Sequence, residues 1–583
     1  MSTLLLGAAN NCAQLLSSPE RADVDRAHTS GTWLDIGVPS VRNLRHIDRT
    51  RSVLWLVLFV TSIPLHLFYN SVIYSQTNTN DYLAVLVTED FVSGGYWNYT
   101  DVPDGYWNWT GAPKDSIIEA QIIDLKFEAQ NDRLQRLDSK TCLEDYSTAV
   151  LHSGWASVLI VTNVTQRKHL VVPVTYQTFT PNEWPNWLCN MTGEPGDPPC
   201  DMSALATAWQ IANVPGQSDV VAVNYCLAKP FPNSQCMIKA SSTLLLVVIV
   251  CNLLKLGCLV YVFCHSSFEP LATIGDAISS FLRSPDDTTK GLGLLDGFHM
   301  RKGLAPDTRW DPKTKRWGTI SGTSRLTISL ILCSLIWIAG IILLVVIYEA
   351  GVGSMAYVWA EGIGSFSAEN TIEPSAGSPL LSNVLLANTP QLVVSMAYIC
   401  YNNVFTCMLL GREISAFAIK RKPLRTTAPR GHQHSTYWLQ LPFRFSAPMM
   451  ISMALLHWLI SRSIFLLEVG VYGINGQLDP FRTVNACGYA GQPVILALIL
   501  GLVMIAFLVG FGWRKLTPGI PAMGNCSIAI SAACHANPQE KRLEVLPLQY
   551  GVIPAFGRDG DRGEHVGFSS REVLPLVPFQ PYY

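Results

Sequence analysis

Six windows of about 20 or more residues carry almost no charge, and they decide what a chain like this can become. They run from Val53 to Tyr74, Thr243 to Cys264, Leu326 to Tyr348, Leu392 to Gly411, Ala447 to Glu468 and Pro493 to Trp513. At about 1.5 Å per residue each is long enough to cross a hydrocarbon core of about 30 Å. No water is present there to satisfy backbone N–H and C=O groups, so each window is expected to be a helix. Charged residues make up 14% of the chain, against about 25% in an average soluble protein, and the deficit sits in these windows. The net charge of -2 offers no polyanion-binding surface, so no nucleic-acid partner is expected.

Charges outside the windows set the topology. Arg42, Arg45, Arg49 and Arg51 precede the first window, and cations beside a first span stay in the cytoplasm. Residues 1–52 are therefore expected to be cytoplasmic, with the first span acting as signal anchor, because Leu4-Leu5-Leu6 is too short an apolar run for a secretory signal. Trp33, Leu34, Ile36 and Val38 fit either a segment lying along the membrane surface or a plain flexible tail. The spans fall at 53–74, 243–264, 326–348, 384–411, 447–468 and 493–513, leaving cytoplasmic loops at 265–325 and 412–446 and outer loops at 75–240, 349–383 and 469–492. Loop 265–325 carries nine Lys and Arg and loop 349–383 none, in keeping with that assignment. The tail, 514–583, loses periodicity and gains Pro and Gly. It holds two copies of EVLPL, at Glu544 to Leu548 and Glu572 to Leu576, and prolines 575, 578 and 581 at three-residue steps. A disordered tail is expected, the alternative being that the prolines form a docking segment for a cytoplasmic partner.

Loop 75–240 has single-domain size. It contains four N-glycosylation acceptors, Asn98, Asn108, Asn163 and Asn190, of a kind modified only on the lumenal or outer side. A fifth, Asn525, falls in the tail and should stay bare. Cys142, Cys189, Cys200, Cys226 and Cys236 lie in this loop and Cys487 in the last outer loop, six disulfide candidates on the oxidising side. Closeness in sequence favours Cys226 with Cys236, and the odd cysteine of the loop would then tether to Cys487. SVLIVTNV and HLVVPVTY read as adjacent strands and VVAVNYCLA as a third, so a mixed α/β domain stapled by disulfides is expected. A near-repeat, GYWNYT at Gly95 to Thr100 and GYWNWT at Gly105 to Thr110, reads either as turns with inward aromatics or as hairpin tips that stack on a sugar.

Polar residues within the spans demand a reason, because lipid offers them no partner. In the fourth span Asn388, Gln391, Ser395, Tyr398, Asn402, Thr406 and Glu413 mostly recur at three- or four-residue steps, which is one helical face. The first span places Ser62, His66 and Asn70 at four-residue steps beside Pro64, and the fifth places Met453, His457 and Ser461 on one stripe. Counting from the window ends puts His66, Lys255, Asn402, Asn403 and His457 within about one turn of the midplane. Such a layer either lines a watery path or substrate pocket, or is a satisfied network that locks the bundle. No Asp or Glu lies at the depth of Lys255, which is expected to be neutral, to snorkel, or to meet an anion or water. No nucleophile or metal-binding partner accompanies the histidines, so no catalytic residue, metal site or cofactor is expected. An enzyme acting on a lipid-soluble substrate stands as the alternative to binding, sensing or transport.

WLDIGVPSVRNLRHIDRTRSVLW leads into the first span, and NYCLAKPFPNSQC and PLATIGDAISSFL flank the second. NTPQLVVSMAYICYNNVFTCMLLGREISAFA and STYWLQLPFRFSAPMMISMALLHWLISRSIFL cover the fourth and fifth, and CSIAISAACHANP follows the sixth. Through these blocks the chain resembles a family of fungal multi-pass membrane proteins defined by a domain of unknown function. The resemblance implies a fungal origin and a polytopic membrane location, and it brings no activity and no site residue with it. The expected fold is an all-α polytopic membrane protein of about six transmembrane helices with a mixed α/β, disulfide-containing extracellular loop domain. It would sit in the plasma membrane or another secretory-pathway membrane with both termini cytoplasmic. Its expected partners are the lipid bilayer, an extracellular ligand or cell-wall component, and a cytoplasmic protein at the tail.

Overall fold

A computed structural model of the chain describes residues 2–97, 116–147, 154–164, 170–176, 186–190, 200, 205, 208–214, 220–231, 237–265, 268–297, 309–350, 354–360, 362–363, 371–372, 380–436, 439–554 and 564–583. Among them, six helices are long and apolar enough to cross a membrane: Arg49–Ser71, Ser242–His265, Thr323–Glu349, Leu380–Ala418, Phe443–Ser463 and Gly491–Trp513. The first is interrupted, running from Arg49 to Val60 and again from Ser62 to Phe68. Pro64 explains the break, since it has no N–H and its ring crowds the carbonyl four residues earlier, that of Val60.

The bundle is not purely helical. Between the first two spans lie β1 (Ile73–Asn80), β2 (Tyr82–Thr88), β3 (Gln135–Asp138), β4 (Trp155–Thr162), β5 (Val171–Tyr176), β6 (Gln210–Ile211), β7 (Val221–Pro230) and β8 (Met237–Ala240). β9 (Thr371–Ile372) follows the third span, and β10 (Arg425–Thr426) and β11 (His434–Ser435) follow the fourth. β12 (Ile464–Tyr472) and β13 (Val484–Tyr489) join the fifth to the sixth, and β14 (Gln549–Val552) and β15 (Val566–Ser569) lie in the tail.

The domain between the first two spans is built on a mixed sheet in the order β3-β7-β4-β2-β5, with β6 on β7. β4 and β5, expected to be neighbours, are separated by β2, which pairs parallel with β4 and antiparallel with β5. Every residue of β2, YLAVLVT, is buried. An uninterrupted apolar run of that kind is satisfied only in mid-sheet, covered on both faces. Two disulfides close the domain, Cys142–Cys226 and Cys189–Cys200. The expected Cys226–Cys236 bridge is therefore not made. Antiparallel pairing of β3 with β7 brings the helix Ser139–Tyr146, which carries Cys142, over the middle of β7, while Cys236 falls outside the described residues. Cys487 is a free, buried thiol 3.3 Å from the Asn383 carbonyl oxygen, so it tethers nothing.

A second sheet, in the order β8-β1-β12-β13-β9, gathers the segments that follow the first, third and fifth spans onto one end of the bundle. The apolar window read as the end of the fifth span, to Glu468, is in fact β12 from Ile464 onward. Glu468 is buried in that sheet, where it pairs with Lys239 of β8. The two sheets touch directly: the Asp81 N–H donates to the Tyr472 carbonyl at 2.8 Å, Arg482 pairs with Asp81, and the rings of Phe231 and Tyr472 lie 5.5 Å apart.

At the opposite end the N-terminal segment, the two basic loops and the tail share one core, with Leu34, Ile36, Phe281, Leu410, Ile530, Tyr550 and Phe568 all buried within it. Neither reading of the segment before the arginines holds: Leu34, Ile36 and Val38 are interior residues, and the Trp33 ring stacks under the Arg42 guanidinium at 3.8 Å. The tail also departs from the disorder expected of it. Over its described residues the helix Ser527–Ala532 is buried along its whole length, β14 pairs with β15, and Leu574 of the second EVLPL bonds Val552. The proline-rich end docks on its own chain, with backbone bonds linking Trp310 to Phe579 and Gln580. Close packing across this core is visible at Gly275, where an added Cβ would lie 2.1 Å from the Arg425 carbonyl oxygen.

Candidate functional site: a polar seam between the spans

The stripes read from the sequence meet face to face. Ser62, His66 and Asn70 of the first span each find a partner, and the fourth span supplies two of the three. The Asn70 amide donates to the Gln391 side-chain oxygen at 2.5 Å, and Asn388 donates to the Ser71 hydroxyl at 2.6 Å. One turn deeper, the Ser395 oxygen lies 3.4 Å from His66 Nδ1 and 3.1 Å from His457 Nε2. The two imidazoles stack with centroids 5.7 Å apart. Ser395 has a single proton and also lies 2.9 Å from the Gln391 carbonyl oxygen, so a ring N–H is the natural donor to its hydroxyl oxygen.

Lys255 reaches the same helix from the second span. Its Nζ donates to the Leu58 carbonyl at 3.0 Å and to the Ser62 hydroxyl at 2.6 Å, and the residue is fully buried. Leu58 sits one turn before the break at Thr61, where a loosened ladder leaves carbonyl oxygen available to an ammonium. Snorkelling is thus replaced by capture inside the bundle.

Asn402 and Asn403 do not join this group. Ser395 and Asn403 are eight residues apart, about 12 Å along a helix, and the Asn403 amide donates to the Pro39 carbonyl of the N-terminal segment at 2.7 Å. Asn402 buries a side-chain oxygen that has no hydrogen-bond partner among the described residues. The single layer counted from window ends resolves into three levels, because the fourth span is a helix of 36 residues that overshoots its window at both ends.

A second polar cluster, outside the spans, was missed. His28 Nδ1 lies 2.5 Å from Asp286 Oδ2, and its Nε2 lies 2.8 Å from the Ser527 hydroxyl. Thr289 continues the network to Ser531 at 2.9 Å and to His535 at 3.0 Å. The first three groups have the order of an acid, base and nucleophile relay. Access decides against that use. Ser527 is fully buried, its oxygen accepts the Leu34 N–H, and its own N–H donates to the Leu34 carbonyl, so neither a substrate carbonyl nor an oxyanion has a place. The cluster instead ties N-terminus, loop and tail together. The signal that could have found it is the spacing of Ser527, Ser531 and His535 at four-residue steps in a run of small apolar residues.

Burial pushes His28 below the ordinary imidazole range, and the Asp286 hydrogen bond offsets only part of that; burial also lowers His535 and His565. Burial raises the Asp286 carboxyl, but hydrogen bonds from His28 and Thr288 outweigh it and hold it low. A histidine whose folded pKa lies below its unfolded value of about 6.5 favours the fold fully above that pH. The stability is lost as pH falls, because the unfolded chain takes the proton first, with a limiting slope of about 1.4 kcal/mol per pH unit for each such group. The folded core at this end is therefore expected to unfold at lower temperature at pH 5 than at pH 7 (about two units across the imidazole range), and His28→Gln should flatten part of that dependence. Thermal unfolding followed by labelling of the buried Cys526 and Cys534 thiols measures it. A midpoint independent of pH would remove the histidines from the stability of this core.

A cavity of about 400 Å³ opens beside this core, bounded by Trp310, Ile320, Ile414, Leu516 and Met523, with Arg309, Lys313 and Lys315 among its cations. Lys315 pairs with Asp296 and Lys313 with Asp311.

Residues 305–562 match a family described as a domain of unknown function (DUF8419), and residues 1–76 match a family of unknown function (DUF6536). No curated protein and no solved structure matches the chain. The two matched regions cover the first span, the last four spans and most of the folded core at the terminal end.

Proposed function

We propose that this membrane protein binds a ligand on its sheet-bearing side and transmits the event to the folded core at its other end. The observation that carries this reading is that four spans enter one sheet with almost no linker. β1 begins two residues after the first span, β8 ends two residues before the second, β12 follows the fifth at once, and β13 ends two residues before the sixth. A displacement of the outer domain therefore reaches four helices together, through a pair of parallel central strands, β1 and β12. In this reading the sheet side is extracellular or lumenal, supported by its disulfides and by the exposed acceptor Asn163. The terminal side is cytoplasmic, supported by its basic loops. A cell-wall polysaccharide is the ligand class suggested by aromatic loops that carry N-glycosylation acceptors. Trp97 packs inward on Phe91 while Tyr96 points out, and the second aromatic repeat lies outside the described residues.

Amide exchange of the full chain, with and without soluble wall-glucan fragments, tests the proposal. Altered exchange at residues 520–534, on the far side from the sheets, is the expected result. Altered exchange confined to 73–240 would leave binding without transmission. Transport is the second reading, favoured by the Asn402 oxygen, which has no hydrogen-bond partner among the described residues. Fast labelling of Asn402→Cys by a small water-soluble thiol reagent in intact membranes would make it the leading one. The seam's direct hydrogen bonds argue for a locked bundle instead, and so for slow labelling there.

A further inference from the structure

We propose that Arg412, Arg444 and Arg514, with Arg316 beside them, form a site for the phosphate headgroup of an anionic membrane lipid. The cations come from separate elements: Arg412 from the last turn of the fourth span, Arg444 from the first turn of the fifth, and Arg514 from the cap of the sixth. Arg412 and Arg514 both approach the Trp317 ring, each at 5.7 Å from its centroid. Arg514 also lies 5.0 Å from Phe511, Arg444 lies 5.0 Å from Phe445, and Arg316 lies 3.8 Å from Trp513. The rings of Phe445 and Phe511 are themselves in contact, 6.1 Å apart. Aromatic faces thus fix guanidinium groups from three spans around one point.

Arg412 feels the charges of both Arg444 and Arg514. Like charges gathered in this way repel unless an anion lies between them. Among the described residues none of the four arginines has a carboxylate in ion-pairing range, and Glu413, next in sequence to Arg412, is held by Arg425 and Gln440. Arg412, Arg444 and Arg514 are exposed. An exposed set of guanidinium forks presents paired N–H donors in the geometry that phosphate oxygens accept. Position selects a lipid over a soluble phosphoprotein. The cluster borders the exposed apolar belt of the spans, with Phe443 and Trp513 uncovered at its rim, so the anion that meets it lies at the level of lipid headgroups. Surface attraction of basic loops for an anionic leaflet is general and diffuse; three unpaired arginines preset on aromatic rings make a defined site.

The test uses the full chain in detergent, with thermal unfolding followed against added phosphatidic acid, phosphatidylcholine or glycerol 3-phosphate. Phosphatidic acid is expected to raise the midpoint where phosphatidylcholine does not. Arg412→Gln, Arg444→Gln and Arg514→Gln should each weaken the apparent affinity about tenfold. The corresponding Arg→Lys variants keep the charge and guard against misfolding, and they too should bind less tightly because the fork is gone. Lys420→Gln, at an exposed cation in the loop after the fourth span, should leave the response intact. Equal stabilisation by phosphatidylcholine, or an undiminished shift in the arginine variants, would overturn the proposal. Glycerol 3-phosphate acting as well as the lipid would replace it with a free phosphate ester as ligand.

Discussion

Replacing Cys142 and Cys226 together by Ala is expected to lower the stability of the domain between the first two spans by roughly 4–5 kcal/mol. The bridge spans 84 residues of sequence. Closing so long a loop removes more freedom from the unfolded chain than the Cys189–Cys200 bridge, whose separation is 11 and whose loss should lower stability by about 3 kcal/mol. Both half-cystines of the long bridge are fully buried in the domain core, so the packing around them loosens as well. For a domain of this size the larger loss corresponds to a drop of roughly 10–15 °C in midpoint, a large part of an ordinary stability of about 5–15 kcal/mol. Thermal unfolding of the purified variant, read by tryptophan fluorescence from the Trp187 and Trp209 cluster, measures it. An unchanged midpoint, or a peptide linking Cys226 to Cys236 in a non-reducing digest, would contradict the connectivity described here.

The Asp35→Ala variant should disrupt the opposite end of the molecule. Asp35 is completely buried and accepts from the Ser40 hydroxyl at 2.6 Å, from Arg325 at 2.9 Å and from the Asn525 amide. It thereby joins the N-terminal segment, the start of the third span and the tail. Removing the carboxylate takes a buried acceptor from the Ser40 hydroxyl, the Asn525 amide and the partly exposed Arg325 guanidinium, which is expected to cost about 1–3 kcal/mol. Asp35→Asn keeps the shape and should lose less. Cys526 and Cys534 are buried free thiols of the same core, so the Ala variant is expected to expose them to a thiol reagent under conditions where the parent protein is silent. Parent-like protection would show that the core holds without this carboxylate. Asn525 is itself fully buried, so a glycan at that sequon is expected to be incompatible with this core.

The paired stripes of the first and fourth spans were legible because helical periodicity is local: four-residue steps at Ser62, His66 and Asn70 place them on one face whatever the helix meets. Their depth was not legible. Counting from window ends assumes helices of equal length and tilt, and the fourth span broke that assumption by its length, sending Asn403 to Pro39 instead of into the histidine group. The fifth window failed for a related reason. SIFLLEVGVY is apolar but for Ser463 and Glu468, and a mostly apolar run does not by itself separate the end of a helix from a buried strand. Its pairing with β1 and β13 made the choice.

The tail shows the same limit most plainly. Prolines and glycines erase its periodicity, so Leu548, Tyr550, Val566 and Phe568 look like isolated hydrophobes in sequence and become core only against Phe281, Leu34 and Phe417, which lie far away along the chain. By itself the sequence determined six membrane-length helices and the faces they present, because hydropathy, length and helical period act over neighbouring residues. The tertiary structure alone decided which cysteines pair, which strand lies between β4 and β5, and that both chain ends fold into one core, because each of those outcomes depends on contacts beyond the reach of a local pattern, from 11 residues apart at Cys189–Cys200 and 84 at Cys142–Cys226 to the whole length of the chain in the shared core.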